Sequence, residues 1–237
     1  MDIQFLGLGS AFNPAMGNTN AVFTRKDHFY ILDCGETAFG RLWDSPDFVG
    51  ASQVTVALTH LHCDHVGSLA SLISYSYYVL GKNIRVLHPL ETAVQLLDLM
   101  GIERFCYRHV PQLSGGGEAV SFESVTVEHV DNMVCFGYII SSPEERIYYS
   151  GDARFVPDTV VSQFLEGSIS RIYQDTALKN GDHPTHGSLD YLESIFPEKT
   201  RNRIFCMHLD SDYRDLLREK GFGLAELYRP GAGGNCL

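Results

Sequence analysis

The stretch Val54-Thr55-Val56-Ala57-Leu58 runs directly into Thr59-His60-Leu61-His62-Cys63-Asp64-His65. The first five residues are apolar, rich in β-branched side chains and bounded by turn-formers, the pattern of a buried strand. Residues two apart in extended chain point the same way, so His60 and His62 leave the strand end on one side. Asp64 and His65 follow where Val66-Gly67-Ser68-Leu69-Ala70-Ser71-Leu72-Ile73 is expected to begin a helix. Three imidazoles and a carboxylate thus gather within six residues at the carboxyl end of a strand. Nitrogen and oxygen donors with no thiolate required suit Zn²⁺, Mn²⁺ or Fe²⁺ at a water-accessible, catalytic position.

Working outward, the 237 residues are enough for one sizeable α/β domain or a fold of duplicated halves. With 44% hydrophobic and 20% charged residues the composition is ordinary for a globular protein. No apolar run approaches the ~20 residues of a membrane span, and the first residues read as a strand rather than a signal peptide, so a cytoplasmic protein is expected. The six cysteines, Cys34, Cys63, Cys106, Cys135, Cys206 and Cys236, form no close pair and read as reduced thiols. Cys63 is a bystander within the histidine motif. The formal net charge is −11, and two bound dications would cancel only four of those charges. A protein that grips a long polyanion normally shows a basic face, and none is evident, so a small anionic substrate fits better.

Before the motif, Asp2 to Ser10 reads as a strand entering a glycine turn; Gly7 and Gly9 lack the third glycine and the helix of a nucleotide fingerprint. Strands are expected over Asn20–Thr24 and Phe29–Leu32, the latter ending at Asp33-Cys34-Gly35-Glu36, then a short helix from Thr37 to Trp43. Asp33 is placed to orient the motif through hydrogen bonds. After the motif come Tyr75-Ser76-Tyr77-Tyr78 at helical spacing, read as packing aromatics, then a strand at Ile84–Leu87 and a helix opened by Pro89 and running through Met100. His88 and His109 stand alone and read as structural. Gly115-Gly116-Gly117 is a turn rather than a linker. Strands over Ser124–Glu128, Phe136–Ser141, Arg146–Tyr149 and Ile204–Met207 end at or near His129, Asp152 and His208. The glycine-rich tail from Gly231 to Leu237 is expected to fray.

His60-x-His62-x-Asp64-His65, followed by His129, Ser150-Gly151-Asp152 and His208, resembles the signature of the metallo-β-lactamase-fold hydrolases. The opening strands with Asp33-Cys34-Gly35 are similar to the tRNase Z-like branch of that group. The resemblance implies a single αββα sandwich over residues 1–237, α/β (α+β) in class, with two mixed sheets flanked by helices. It assigns His60, His62 and His129 to one divalent ion, Asp64, His65 and His208 to a second, and Asp152 to both. Zn²⁺ is the expected metal, with Mn²⁺ the other candidate. Two carboxylates against two dications leave an excess of positive charge that suits a phosphate ester, with an activated hydroxide as nucleophile and Asp64 among the catalytic residues.

A leaving alkoxide needs a proton, so a general acid should stand opposite the nucleophile. In tRNase Z-like enzymes a histidine segment opening a helix before the last ligand serves this step. Here Asp182-His183-Pro184-Thr185-His186-Gly187-Ser188-Leu189 occupies that place. His186, 22 positions before His208, is the first choice for the acid and His183 the second, with Asp175 a candidate to hold the imidazole in its working tautomer.

The tRNA enzymes of the branch carry a basic, glycine-rich arm for the tRNA elbow. Between His129 and Asp152 this chain has room only for a short hairpin, and its balance is acidic. That compact profile resembles the anti-Pycsar proteins, phage and bacterial enzymes that hydrolyse cyclic mononucleotides used as antiviral messengers. The resemblance implies conversion of 3′,5′-cyclic nucleotides to nucleoside monophosphates, immune evasion, a homodimer, no membrane and no long nucleic acid. The location would be cytoplasmic, the host's cytoplasm if the chain is viral. The alternative is a tRNA 3′-end endonuclease. Thioester or persulfide hydrolysis is disfavoured because those enzymes lack a histidine segment placed like His186. A nucleotide-sequestering protein would have no use for seven intact ligands.

Overall fold

Two antiparallel meanders, each running on into parallel strands, account for the strands of the protein in a computed structural model that describes residues 1–114, 120–179 and 184–231. The chain divides into two compact units. The first comprises Met1–Gly7, Gly17–Leu113 and the segment from Glu226, and the second Leu8–Met16 and Ser114–Ala225.

The first unit contains β1 (Gln4–Gly7), β2 (Asn20–Arg25), β3 (His28–Leu32), α1 (Ala38–Leu42), α2 (Pro46–Gly50), β4 (Gln53–Ala57), α3 (Cys63–Val66), α4 (Leu69–Tyr78), β5 (Ile84–Leu87), α5 (Thr92–Leu99) and β6 (Tyr107–Val110). β1, β2 and β3 pair antiparallel, whereas β3, β4, β5 and β6 pair parallel. Near-continuous apolar strands such as Val54–Leu58 are what a parallel sheet covered on both faces requires. Leu6, Phe29, Ile31, Val54, Val56, Leu72 and Ile73 are among its buried core.

The second unit repeats the plan with β7 (Ser121–Val127), β8 (Cys135–Ser141), β9 (Arg146–Tyr149), α6 (Asp158–Leu165), β10 (Arg171–Asp175), α7 (Leu189–Ile195), β11 (Ile204–Met207), α8 (Arg214–Glu219) and β12 (Gly223–Leu224). β7, β8 and β9 are antiparallel, then β9, β10, β11 and β12 parallel. Tyr148, Val160, Phe164, Ile172, Leu192 and Ile204 form its core. A last short strand, β13 (Glu226–Leu227), belongs to the first unit and pairs parallel with β1. The fold class is as expected: mixed α/β, with two mixed sheets and helices. The main division between the units falls at Leu113/Ser114, and Gly115-Gly116-Gly117 itself lies outside the described residues, as does the tail beyond Gly231.

Two expected helices differ. The motif helix is not continuous through Val66–Ile73: α3 stops at Val66 and α4 starts at Leu69, because the Ser68 amide bonds the carbonyl of Cys34 at 3.1 Å rather than closing another turn. Pro89 does not open α5, which begins at Thr92; the Leu90 amide donates to His88 Nδ1 at 3.2 Å and holds His88–Leu90 as a turn. Tyr75 and Tyr77 pack against the first unit's core as expected, while Tyr78 is exposed. His88 and His109 are structural: His109 Nε2–H donates to the carbonyl of His88 at 2.9 Å. Among the described residues the cysteines are free, and burial pushes the thiols of Cys34 and Cys206 up to about 12, which keeps them inert. No helix among the described residues is long and apolar enough to cross a membrane.

Candidate metal centre

In the first unit the donors sit where β3 and β4 end. Asp33 follows β3 with φ +61°, a left-handed conformation that costs a non-glycine residue energy and is typical of functional turns. Its buried carboxylate organises the motif. Oδ1 accepts the Thr59 amide at 2.7 Å, and Oδ2 accepts both Thr59 Oγ1–H at 2.8 Å and His65 Nδ1–H at 2.9 Å. Thr59 Oγ1, having donated its proton to Asp33, accepts from His60 Nδ1–H at 3.1 Å. One carboxylate therefore sets the tautomer of two imidazoles, directly for His65 and through Thr59 for His60, and leaves each Nε2 as a ligand atom. Burial raises the Asp33 pKa, against the opposing effect of His65 and Thr59. His60 Nε2 faces His62 Nδ1 at 3.0 Å, and His65 Nε2 lies 3.2 Å from Asp64 Oδ2. The orienting role expected of Asp33 is what the geometry shows; the relay through Thr59 was not anticipated.

In the second unit the donors follow β7, β9, β10 and β11. His129 Nδ1–H donates to the carbonyl of Thr185 at 2.9 Å, directing Nε2 toward Asp152 Oδ2, 3.6 Å away. Burial lowers the His129 pKa despite Asp152 and the Thr185 carbonyl, so the ring is the neutral form that a metal needs. His208, like Asp33 a non-glycine residue with positive φ (+58°), presents Nε2 at 3.4 Å from the same Asp152 oxygen and Nδ1 at 3.4 Å from Asp175 Oδ1. The residue after it is fixed by Leu8 to Ser10: Leu209 donates to the Leu8 carbonyl at 2.7 Å and accepts from the Ser10 amide at 3.0 Å. The Gly7–Gly9 turn is thus structural, as its sequence suggests.

The separations of the His129 and His208 imidazoles from Asp152 fit a bound cation better than they fit hydrogen bonds. Ligands about 2.0–2.1 Å from a tetrahedral Zn²⁺ lie about 3.3 Å apart, close to the His208–Asp152 and His129–Asp152 distances of 3.4 and 3.6 Å. His186 differs. Its Nδ1–H donates to Asp175 Oδ2 at 2.7 Å, a charge-assisted hydrogen bond, and is 3.9 Å from Asp152 Oδ2. Burial pulls the His186 pKa down, but the charge and hydrogen bond of Asp175, then the charge of Asp152, outweigh it and raise it above its ordinary value. Asp175 also accepts the Ala153 amide at 3.0 Å, and Gly187 is fitted so closely that a Cβ there would meet the Asp175 carbonyl at 2.6 Å. As expected, a helix follows His186, capped by Ser188 Oγ, which accepts the Tyr191 amide at 3.2 Å. His183 lies outside the described residues. Cys63, within the motif, is exposed.

With this geometry in hand, likeness to other proteins is informative. The profile of the family described as anti-Pycsar protein Apyc1 matches residues 1–227, nearly the whole chain. The chain belongs to that family. A relative from Bacillus phage BSP38, the anti-Pycsar protein Apyc1, is 27% identical over 244 residues, covering 92% of this chain and 93% of the relative. Among solved structures, the metallo-β-lactamase fold protein YhfI from Bacillus subtilis superposes with a TM-score of 0.70 at 14% identity, covering 97% and 96% of the two chains. Human tRNase Z, short form, gives 0.69 at 20% identity, covering 97% and 98%. The fold is that of the metallo-β-lactamases. Together with the His/Asp donor sets, membership of the Apyc1 family makes the protein a metal-dependent hydrolase.

Proposed function

We propose that the protein hydrolyses 3′,5′-cyclic mononucleotides to nucleoside monophosphates and so removes antiviral signals in a host cytoplasm. What carries the reading is the family match across residues 1–227 combined with the bare β8–β9 hairpin, turned by Ser142–Glu145, where the tRNA enzymes of the branch would need an arm. Residues 1–237 act as one hydrolase domain. His60, His62 and His129 would hold one ion and Asp64, His65 and His208 another, with Asp152 available to both. Divalent ions there, Zn²⁺ in preference to Mn²⁺, supply Lewis acidity and lower the pKa of water.

The chain's own residues do the rest. Asp33 and Thr59 keep His60 and His65 facing the substrate side in one tautomer. Asp64 orients the nucleophilic water as well as serving as a ligand. His186, its Nδ1–H held by Asp175, offers Nε2 to the departing ribose oxygen and donates the proton that oxygen needs, while Asp175 balances the imidazolium before transfer. His183 is the second candidate for this proton. The active species is a homodimer.

Incubating the purified protein with 3′,5′-cyclic mononucleotides, cyclic dinucleotides and precursor tRNA tests the assignment. Cyclic mononucleotides should disappear with a matching gain of monophosphate, and the rate should vary little with salt. Preferential cleavage of precursor tRNA with a steep salt dependence would replace this reading by a tRNA 3′-end endonuclease. Nucleotide bound but recovered unchanged would make the protein a sequestering one.

A further inference from the structure

The short helix α3 carries two of the proposed ligands, and its end is unusual. An α-helix leaves its last carbonyls without intrahelical partners. Here the chain leaves the helix after Val66, so the carbonyls of Asp64 and His65 must be satisfied from outside. The Cys34 amide takes the His65 carbonyl at 2.7 Å. The Asp64 carbonyl is taken by a side chain distant in sequence: Asn20 Nδ2–H donates to it at 3.2 Å. The same amide group donates to the Thr19 carbonyl at 2.6 Å, and Asn20 Oδ1 accepts the Gly35 amide at 2.8 Å. Asn20 is completely buried at the start of β2.

Both faces of this clamp are tight. A Cβ on Gly35 would lie 1.8 Å from the Asp64 carbonyl oxygen, so the β3–α1 loop presses directly against the peptide that positions Asp64. Two residues before Asn20, Asn18 makes a reciprocal pair with Thr37: its amide donates to Thr37 Oγ1 at 3.1 Å and its Oδ1 accepts the Thr37 amide at 2.9 Å. Asn18 thus ties down the far end of the same loop through Thr37. The two asparagines provide a built-in comparison. One hydrogen-bonds the ligand-bearing peptide and the other hydrogen-bonds Thr37.

We infer that Asn20 is a positioning residue for the second metal site: it fixes the Asp64–His65 peptide, and through it the Asp64 carboxylate and the His65 ring, in the geometry that binds an ion. This rests on the proposal that Asp64 and His65 are ligands. An Asn side chain is required because the position needs an acceptor for the Gly35 amide and a donor for the Asp64 carbonyl at once. Aspartate keeps the shape and the acceptor but sets a carboxylate oxygen against a carbonyl oxygen, and the peptide must move.

The experiment compares the wild-type protein with Asn20→Asp, Asn20→Ser and Asn18→Ala. Zn²⁺ stoichiometry and affinity are measured by competition with a chelating dye, and melting is followed on the metal-free proteins. Asn20→Asp should retain one ion at wild-type affinity and bind the other about 10- to 100-fold more weakly, the cost usual for losing a partner behind a ligand. Asn18→Ala should lower the melting temperature while leaving both affinities in place. Should Asn20→Asp fail to fold, Asn20→Ser, too short to reach Asp64 and uncharged, carries the measurement and should weaken the same ion. Two wild-type affinities in a folded Asn20 variant would overturn the inference, as would equal weakening by Asn18→Ala. A wild-type protein that binds fewer than two ions would instead defeat the ligand assignment on which it depends.

Discussion

At the scale of single residues, His186 and Asp152 illustrate how similar neighbours take different parts. Both lie among carboxylates and imidazoles, yet His186 makes a 2.7 Å hydrogen bond to Asp175 while the imidazoles of His129 and His208 keep 3.6 and 3.4 Å from Asp152. In the proposed mechanism the short contact holds a proton in place and the longer ones leave a place for a cation. His186→Ala should therefore slow cyclic-nucleotide turnover by about 10²- to 10⁴-fold, the usual worth of a general acid, with bound metal unchanged. Turnover at the wild-type rate would move the acid elsewhere, with His183 the first alternative. Asp64→Ala should abolish turnover and drop the metal content from two ions to one. Full activity in that variant would show that a single ion suffices.

Among the elements, the parallel strands present most of the proposed site residues at their carboxyl ends, and the opposite ends carry other burdens. At the start of β3, His28 stacks on Tyr30 with 4.0 Å between ring centroids, and its Nε2 contacts Thr55 Oγ1 at 2.8 Å. Burial, helped by the Arg85 charge, lowers its pKa from 6.5 to about 4. Below about 6.5 the unfolded chain takes up a proton that the folded chain refuses, so this group's contribution is intact above 6.5 and declines as the pH falls toward 4. The urea midpoint should drop over that window, and His28→Gln should show a shallower drop. An unchanged acid limb in His28→Gln would assign the titration to other groups.

For the whole molecule, the acidic balance and the donor sets make two demands. With a net charge of −11, cations bound only by the native state should add markedly to stability. Chelation should lower the melting temperature, by the equivalent of about 4 kcal/mol per site when free metal stands a thousandfold above Kd, and Zn²⁺ should restore it. A melting temperature indifferent to chelator would contradict a resident metal. The proposed sharing of one ion by His62 and His129 makes a second demand. His62→Ala and His129→Ala should weaken the same ion, and the double variant should lose less than the two single losses combined, as partners in one site do. Independent, additive losses on different ions would break that assignment.

The histidine string, the Asp33-Cys34-Gly35 turn and the strand-end positions of His129, Asp152 and His208 were legible in the sequence, because ligand spacing, strand hydrophobicity and turn residues are local properties that a linear chain displays. β10 was not: Arg171-Ile172-Tyr173-Gln174-Asp175 shows no clean alternation, since its last three residues, all buried, are stabilised by neighbours distant in the chain. The break between α3 and α4 was also hidden, because the Ser68 amide is drawn to Cys34, 34 residues earlier. The relay from Asp33 through Thr59 to His60 and the reach of Asn20 to Asp64 likewise depend on pairings that only folding creates. The sequence determined which atoms could bind and react. Tertiary structure decided which way each of them faces, because a hydrogen bond is satisfied in space and not along the chain.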